Sequence, residues 1–198
     1  MTQGILLSGG MDSIALAFWK RPRIGITIDY GQAPAQAEIS ASRHISAVIG
    51  IDHVCIRVDL RELGSGDLAG STPLALAPCP EWWPFRNQML VTLAAMQAVS
   101  QGIDTLLIGT VASDGTHADG RVEFVRTLDK LLRLQEGAIA LLAPAITLTS
   151  SELVASSGVP LDLLAWAHSC HTGNLACGTC RGCNKHRETW ANLGHDPY

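Results

Sequence analysis

Gly4-Ile5-Leu6-Leu7-Ser8-Gly9-Gly10-Met11-Asp12-Ser13 is the stretch that decides the fold. Gly4 to Leu7 is a short apolar run that stops at a serine and two glycines. It reads as a buried strand feeding a glycine turn. Asp12 to Trp19 then has Ile14, Leu16, Ala17 and Phe18 at helical spacing. A strand, a glycine turn and a helix in that order open a βαβ unit.

The same alternation continues outward. Arg23 to Asp29 has β-branched alternation and ends at Tyr30-Gly31, which predicts a second strand. Ala35 to Ile49 has helical spacing at Ile39, Ile45, Val48 and Ile49, with Gly50 as its C′ residue. His53 to Val58 is the third strand. Arg61 to Pro84 holds three glycines and four prolines and reads as a long loop, a kind often functional in compact domains. Asn87 to Gln101 is a helix with Leu90, Leu93, Ala94 and Ala98 on one face. Asp104 to Ile108 is the fourth strand, ending at Gly109. Val122 to Gln135 is a helix with Val125, Leu128, Leu131 and Leu132 inward. Ala140 to Ile146 is a fifth apolar run, and Thr149 with Glu152 has capping-box spacing at the start of another helix. Strands alternating with helices predict a doubly wound α/β fold on a parallel sheet, formed by residues 1–198 as one domain.

The chain has 198 residues, 47% of them hydrophobic, which is enough for one core. Only 5% are aromatic, and small apolar side chains suit close packing of helices on a sheet. With a net charge of −4 and no run of Lys or Arg, duplex nucleic acid is excluded as the expected partner. The N-terminus lacks a basic, then apolar, leader, and no apolar stretch is long enough to span a membrane. The expected location is the cytoplasm. Six cysteines in such a chain point to metal before disulfides.

Four of those cysteines, Cys170, Cys177, Cys180 and Cys183, have the spacing C-x6-C-x2-C-x2-C. Thiolates this close reach one tetrahedral ion, with Gly178 and Gly182 permitting tight turns between them. Four ligands fill the shell, which favours a structural zinc that staples residues 168–198. Two disulfides, four reduced thiols or an iron–sulfur cluster are the alternatives, and His168, His171 or His186 is near enough to replace one ligand. Cys55, in a strand, reads as a small core hydrophobe.

Ser8 to Ser13 suits a phosphate. Glycines let backbone N–H groups approach closely, the helix N-terminus adds partial positive charge, and Ser8 and Ser13 add hydroxyls. No Lys follows the glycines, so this is not the GxxxxGK[ST] loop. Taken alone, the pattern serves turn geometry as readily as phosphate binding.

SGGMDS (Ser8 to Ser13), DYGQ (Asp29 to Gln32) and CGTCRGC (Cys177 to Cys183) together resemble the 7-cyano-7-deazaguanine synthase (QueC) family of PP-loop, or N-type, ATP pyrophosphatases. WPFRNQ (Trp83 to Gln88), GTVASDGTHADGR (Gly109 to Arg121) and Gly194…Asp196-Pro197 extend the likeness over most of the chain. The resemblance implies a Rossmann-like sheet of the adenine nucleotide alpha hydrolase type. It also implies ATP-dependent adenylation of the carboxylate of 7-carboxy-7-deazaguanine, amide formation with ammonia, and a second activation that yields the nitrile. ATP, Mg2+ and Zn2+ are the implied cofactors, and a homodimer the implied assembly.

By position, the resemblance places Ser8, Gly9, Gly10, Asp12 and Ser13 around the ATP phosphates, and Asp29 and Tyr30 beside the adenosine. Asp12, Arg86 and Asn87 are the implied catalytic residues, Arg86 and Asn87 facing the acyl or phosphate group. Asp114, Asp119 and Arg121 are implied for magnesium or the deazapurine ring; a carboxylate such as Asp119 can accept from a guanine-type N1–H and amino group. His171, next to the first zinc ligand, is implied to reach substrate from a segment that closes over the site.

The chain departs from the family at four places, one of them the Arg61 to Pro84 region, which is short and carries Trp82-Trp83 where the family has less bulk. Ala33-Pro34-Ala35 stands where the family has Arg-His, Thr149-Ser150-Ser151-Glu152 where it has Ser-Lys-x-Glu, and Ser169-Cys170-His171 where it has Ser-Cys-Tyr. Fewer cations near a polyphosphate weaken its binding. The nitrile-forming synthase therefore stands beside two alternatives. One is a relative that joins the activated acid to a protein amine in anti-phage defence; the other is a nucleotide-binding module without turnover. A thiouridine-type tRNA synthetase is a weaker reading, opposed by the charge balance. Trp82-Trp83 reads as core, purine-stacking platform or partner surface.

Overall fold

A computed structural model describes residues 1–196; Pro197, part of the closing motif, lies outside the described residues. The elements are β1 (Gln3–Leu6), α1 (Met11–Lys20), β2 (Ile24–Asp29), α2 (Ala35–Ile49), β3 (Asp52–Arg57), α3 (Arg86–Ser100), β4 (Thr105–Leu107), α4 (Val122–Arg133), β5 (Ala140–Leu142), α5 (Ser150–Ser157), α6 (Leu161–Leu164) and α7 (Arg181–Asn192). The five strands pair in the order β3-β2-β1-β4-β5, all parallel. The chain runs outward from β1 to β3, then crosses back to β4. In such sheets the crevice at the reversal, beyond the carboxyl ends of β1 and β4, is where ligands bind.

Alternation along the strands divides the core into two layers. Ile5, Leu7 and Leu107 pack with Ile14 and Leu16 of α1, Ile45 of α2 and Leu153 of α5. Ile24, Ile26 and Leu106 pack on the other face with Val91, Ala94 and Ala98 of α3 and Val125 and Leu128 of α4. Among the described residues no helix is long and apolar enough to cross a membrane.

Most predicted elements are present, with ends shifted by a residue or two. The Thr149 capping box is formed: Glu152 N donates to Thr149 Oγ1 at 3.2 Å, and Thr149 N to Glu152 Oε2 at 2.8 Å. Five expectations are corrected. The fifth strand stops at Leu142, because Pro144 cannot donate to a ladder and the chain turns there. Leu131 faces solvent rather than the core, as does Val48. Cys55 is only half-buried, since β3 is an edge strand. Gly182 lies inside α7 rather than in a turn. A side chain on it would strike the Ser169 carbonyl at 1.9 Å and the His171 ring, so glycine there permits close packing. Trp83 is core, edge-on to Tyr30 with ring centroids 4.9 Å apart.

Candidate functional site

A cavity of about 310 Å3 opens at the crevice of the sheet. Ser8, Gly10, Asp12 and Ser13 line one side, Tyr30, Arg86 and Asn87 another, and Asp114, His168, Ser169, His171 and Lys185 close it. The turn is held by its own hydroxyls: Ser13 Oγ donates to the Gly10 carbonyl at 2.9 Å, and Ser8 Oγ to Ser13 Oγ at 3.1 Å. Gly9 has φ +73, and a Cβ there would lie 2.6 Å from the Glu38 carbonyl. Only glycine therefore lets the turn lie against α2. No side chain caps α1 at Gly10, so its first N–H donors stay available at the cavity.

Arg86 and Asn87 are the first residues of α3. Phe85 before them is left-handed at φ 55 and 76% exposed, strained backbone for a bulky residue. Asp119 supplies the missing cap from a distant loop: its carboxylate accepts from Asn87 N at 3.2 Å, and its carbonyl from Asn87 Nδ2 at 3.3 Å. Asp119 thus stands behind Arg86 and Asn87, outside the cavity lining. Arg121 is exposed and donates to the Gly115 carbonyl at 3.1 Å, also outside. Asp29 is outside too. Its carboxylate accepts from Gly31 N at 3.2 Å, an Asx-type turn, and it borders a separate shallow groove with Arg57 and Arg61.

Gln32 explains the DYGQ pattern. Its buried amide accepts from Tyr30 N at 2.8 Å and donates to the Ile28 carbonyl at 3.1 Å and to Glu38 Oε2 at 2.7 Å. Glu38 also lines the cavity, and burial pushes its carboxyl up to about 7 against the pull of Gln32 and Arg86. Burial likewise raises the Tyr30 phenol.

Two contributors have no counterpart in the sequence reading. Lys185, on α7, places Nζ 2.9 Å from Asp12 Oδ2 and 3.0 Å from Asp114 Oδ1. It brings a cation to the cavity. Burial opposes its charge, but the two carboxylates outweigh burial and raise its pKa. Asp12 shows the opposite balance: burial raises it more than Lys185 lowers it, and its Oδ1 is buried without a hydrogen-bond partner. The second is Glu38. Neither sits in a motif, so residue type at fixed spacing does not reveal them.

The cysteine segment forms the outer wall. The sulfurs of Cys170, Cys177, Cys180 and Cys183 converge as a group able to hold one metal ion. Cys177 and Cys183 are 3.9 Å apart, Cys170 and Cys180 4.0 Å. Disulfides need about 2.05 Å, so the thiols are unbridged, while a tetrahedral ion with bonds of about 2.3 Å sets sulfurs about 3.8 Å apart. Backbone N–H groups aim at the sulfurs, among them His171 N to Cys180 Sγ at 3.4 Å and Cys180 N to Cys177 Sγ at 3.3 Å. The N–H of Thr179, the Thr172 hydroxyl and the N–H of Cys180 hold the Cys177 thiol down to about 5, whereas burial pushes the Cys180 and Cys183 thiols up.

Cys180 also caps α7, its sulfur accepting from Cys183 N at 3.4 Å. From that start α7 aims Lys185 inward. His186 ties α7 to Ser169: Trp190 Nε1 donates to His186 Nε2 at 2.9 Å, so Nδ1 carries the proton toward Ser169 Oγ at 3.0 Å. His168 N donates to the Gly9 carbonyl at 2.9 Å, joining this wall to the glycine turn. Burial holds the His171 imidazole neutral, down to about 4, and its Nδ1 is buried without a hydrogen-bond partner.

A doubly wound parallel sheet whose first strand ends in SGGMDS at the crevice defines an α/β protein of the PP-loop class. The comparisons narrow the class. A family model described as queuosine biosynthesis protein QueC matches residues 4–194, and the chain belongs to that family. Curated relatives named 7-cyano-7-deazaguanine synthase include those of Chromobacterium violaceum (29% identical, covering 96% of this chain and 89% of the relative) and Desulforudis audaxviator (32%, covering 91% and 92%). In fold the chain is similar to a U34-tRNA thiolase, NcsA, from Methanococcus maripaludis, solved with its [4Fe-4S] cluster. The TM-score is 0.56 at 18% identity, over 96% of this chain and 64% of that one.

Proposed function

We propose that this chain, acting as one PP-loop unit in the cytoplasm, adenylates the carboxylate of 7-carboxy-7-deazaguanine with ATP. Ammonia then displaces AMP to give the amide, and a second ATP activates the amide oxygen, whose loss with AMP leaves the nitrile. The observation that carries this reading is one cavity in which the glycine turn, Asp12, Arg86, Asn87, Asp114 and the cysteine-bearing wall all meet.

The chemistry needs two things from the protein. A carboxylate is a poor electrophile, so acid and ATP must be held together and the charge on the phosphates offset. Ser8, Gly10, Ser13 and the open start of α1 are the donors proposed for the phosphates, with Gly9 setting the turn. Arg86 and Lys185 are the cations beside them. Mg2+, when bound, would neutralise phosphate charge; Asp12 and Asp114 fit it, both facing the cavity and Asp12 with a free buried oxygen. Asn87 and His171 are the proposed contacts to the deazapurine acid, and Tyr30, which lines the cavity, is proposed beside the adenosine. The unpartnered His171 Nδ1 is a group that a substrate N–H or O–H would satisfy. Asp119 and Arg121 are proposed to act by position, holding α3 and the strand-four loop. Asp29 is proposed to set the turn behind Tyr30.

The cysteine cluster is proposed as a structural zinc site. Sulfurs 3.9–4.0 Å apart match one shared ion; in a cubane cluster each thiolate binds a different iron, which sets the sulfurs wider.

The test is release of pyrophosphate from ATP by the purified protein, dependent on 7-carboxy-7-deazaguanine. Absence of pyrophosphate with the acid shown to bind would overturn adenylation and leave the binding module. Mass spectrometry with ammonia, and separately with candidate proteins, reads the acceptor: amide and nitrile, or mass added to a protein amine.

A further inference from the structure

A second group of metal-ligating side chains lies outside the four-cysteine cluster. Cys79 and Glu81, at the end of the long loop after β3, meet His117 from the loop after β4, with one donor atom of each within 4.8 Å of the others. His117 Nε2 lies 3.5 Å from Cys79 Sγ and 3.4 Å from Glu81 Oε1. The second of these is long for a hydrogen bond between an imidazole and a carboxylate. Both are close to the edges of one tetrahedral shell. Bonds of about 2.3 Å to sulfur and about 2.05 Å to nitrogen and oxygen give S···N edges of about 3.6 Å and N···O edges of about 3.4 Å. The four-cysteine cluster has the same character, its sulfurs held at 3.9 and 4.0 Å.

Glu81 gives a second observation. Its residue is 3% exposed, and Oε2 is buried with no hydrogen-bond partner. Oε1 accepts from Arg181 Nη1 at 2.9 Å. Arg181 is the cation at Oε1, the oxygen that also lies nearest His117, and it leaves Oε2 as a buried acceptor that a metal ion would satisfy. The Arg181 bond is the orienting contact that carboxylate ligands commonly have from behind. The imidazole presents both nitrogens to the thiol, Nδ1 being 3.9 Å from Cys79 Sγ, so a turn of the ring aims either one at an ion.

We propose that Cys79, Glu81 and His117 form a second divalent-metal site, with zinc the ion that a thiolate, a carboxylate and an imidazole favour. Three protein ligands leave a fourth position for water or another exchangeable donor, unlike the closed four-cysteine site. The ion binds the loop after β3 to the loop after β4. Arg181, next to the ligand Cys180, connects it to the first metal segment. The site does not depend on which reaction the cavity supports.

The test is metal content. Full-length protein, saturated with Zn2+ and desalted, is expected to carry two zinc ions per chain, and Cys79→Ser with His117→Gln one. A mild chelator is expected to remove the open site's ion first, leaving one. Cobalt titration gives a readout at folded protein: the second equivalent adds thiolate-to-cobalt absorption about a quarter as strong as the first, as one thiolate against four. The single variant Cys79→Ser serves where the double variant fails to fold, and it is expected to lose that second absorption. One zinc in the parent protein, unchanged in the variants, with no second cobalt band, overturns the proposal.

Discussion

The two walls of the cavity are built by different physics. The glycine-turn wall, Ser8 to Ser13, hangs from a strand whose neighbours Ile5, Leu7 and Ile14 are fully buried. Its shape follows from hydrophobic packing and a backbone only glycine can adopt. The opposite wall, His168 to Lys185, contains no strand; α7 within it begins on a cysteine sulfur. Its order comes from the thiol cluster, His186, the backbone bond to Gly9 and polar side chains such as Lys185 and Arg181 that reach other loops. A site can thus be half scaffold and half metal-dependent wall, and the two halves should fail separately.

The sharpest way to separate them is Cys183→Ser, or stripping the metal with a strong chelator. Activity is expected to fall below detection, because structural metal binding is itself folding energy for such a segment. Far-UV circular dichroism should keep most of its signal from the sheet half. Retained turnover would mean that the outer wall stands on packing alone. Next is Lys185→Met, which removes the side chain that joins the outer wall to Asp12. Acid-dependent pyrophosphate release should drop by about 10²–10³-fold, the usual cost of deleting a preorganised charge partner in a reaction site, while zinc content stays the same. A loss of zinc instead would make Lys185 part of the wall's fold.

Gly9→Ala tests the other half. A left-handed φ and the Glu38 carbonyl at 2.6 Å predict a loss of about 1–3 kcal/mol in urea unfolding, with zinc still bound. The smallest effect is on pH. Glu38 in the folded protein keeps its proton up to about 7, whereas an unfolded glutamate releases it near its ordinary value. The folded state binds more protons in that window, so this contribution is present below the ordinary carboxylate range and lost as pH rises through about 7. Glu38→Gln should flatten the fall of unfolding temperature over that window. The same slope in the variant would assign it to another group.

The strands and helices of the scaffold were legible because their apolar residues repeat with period two or 3.6 and glycines mark the ends. Residues 4–13 alone give strand, turn and helix nearly in place. The outer wall was legible only as a ligand set. α7, with the sequence Arg181 to Asn192, lacks an apolar stripe, and its cap is a cysteine sulfur rather than Ser, Thr, Asp or Asn, so no helix signal precedes it. Missing α7 meant missing Lys185, whose partners are 71 and 173 residues away. Asp29, Asp119 and Arg121 fall within the motifs that carry the resemblance but bond to backbone groups, a distinction that spacing does not encode. The sequence did mark Trp83 as bulky, but its contact with Tyr30 is tertiary.

The bond from Lys185 to Asp12 also sets a schedule. It spans 173 residues, which a ribosome adding about 5–20 residues per second takes roughly 9–35 s to cover. For that interval the residues of the glycine turn are in the chain while those of its opposing wall are not. A nascent chain can hold the sheet and yet have no closed chamber, so closure of the site is a late event in the life of each molecule.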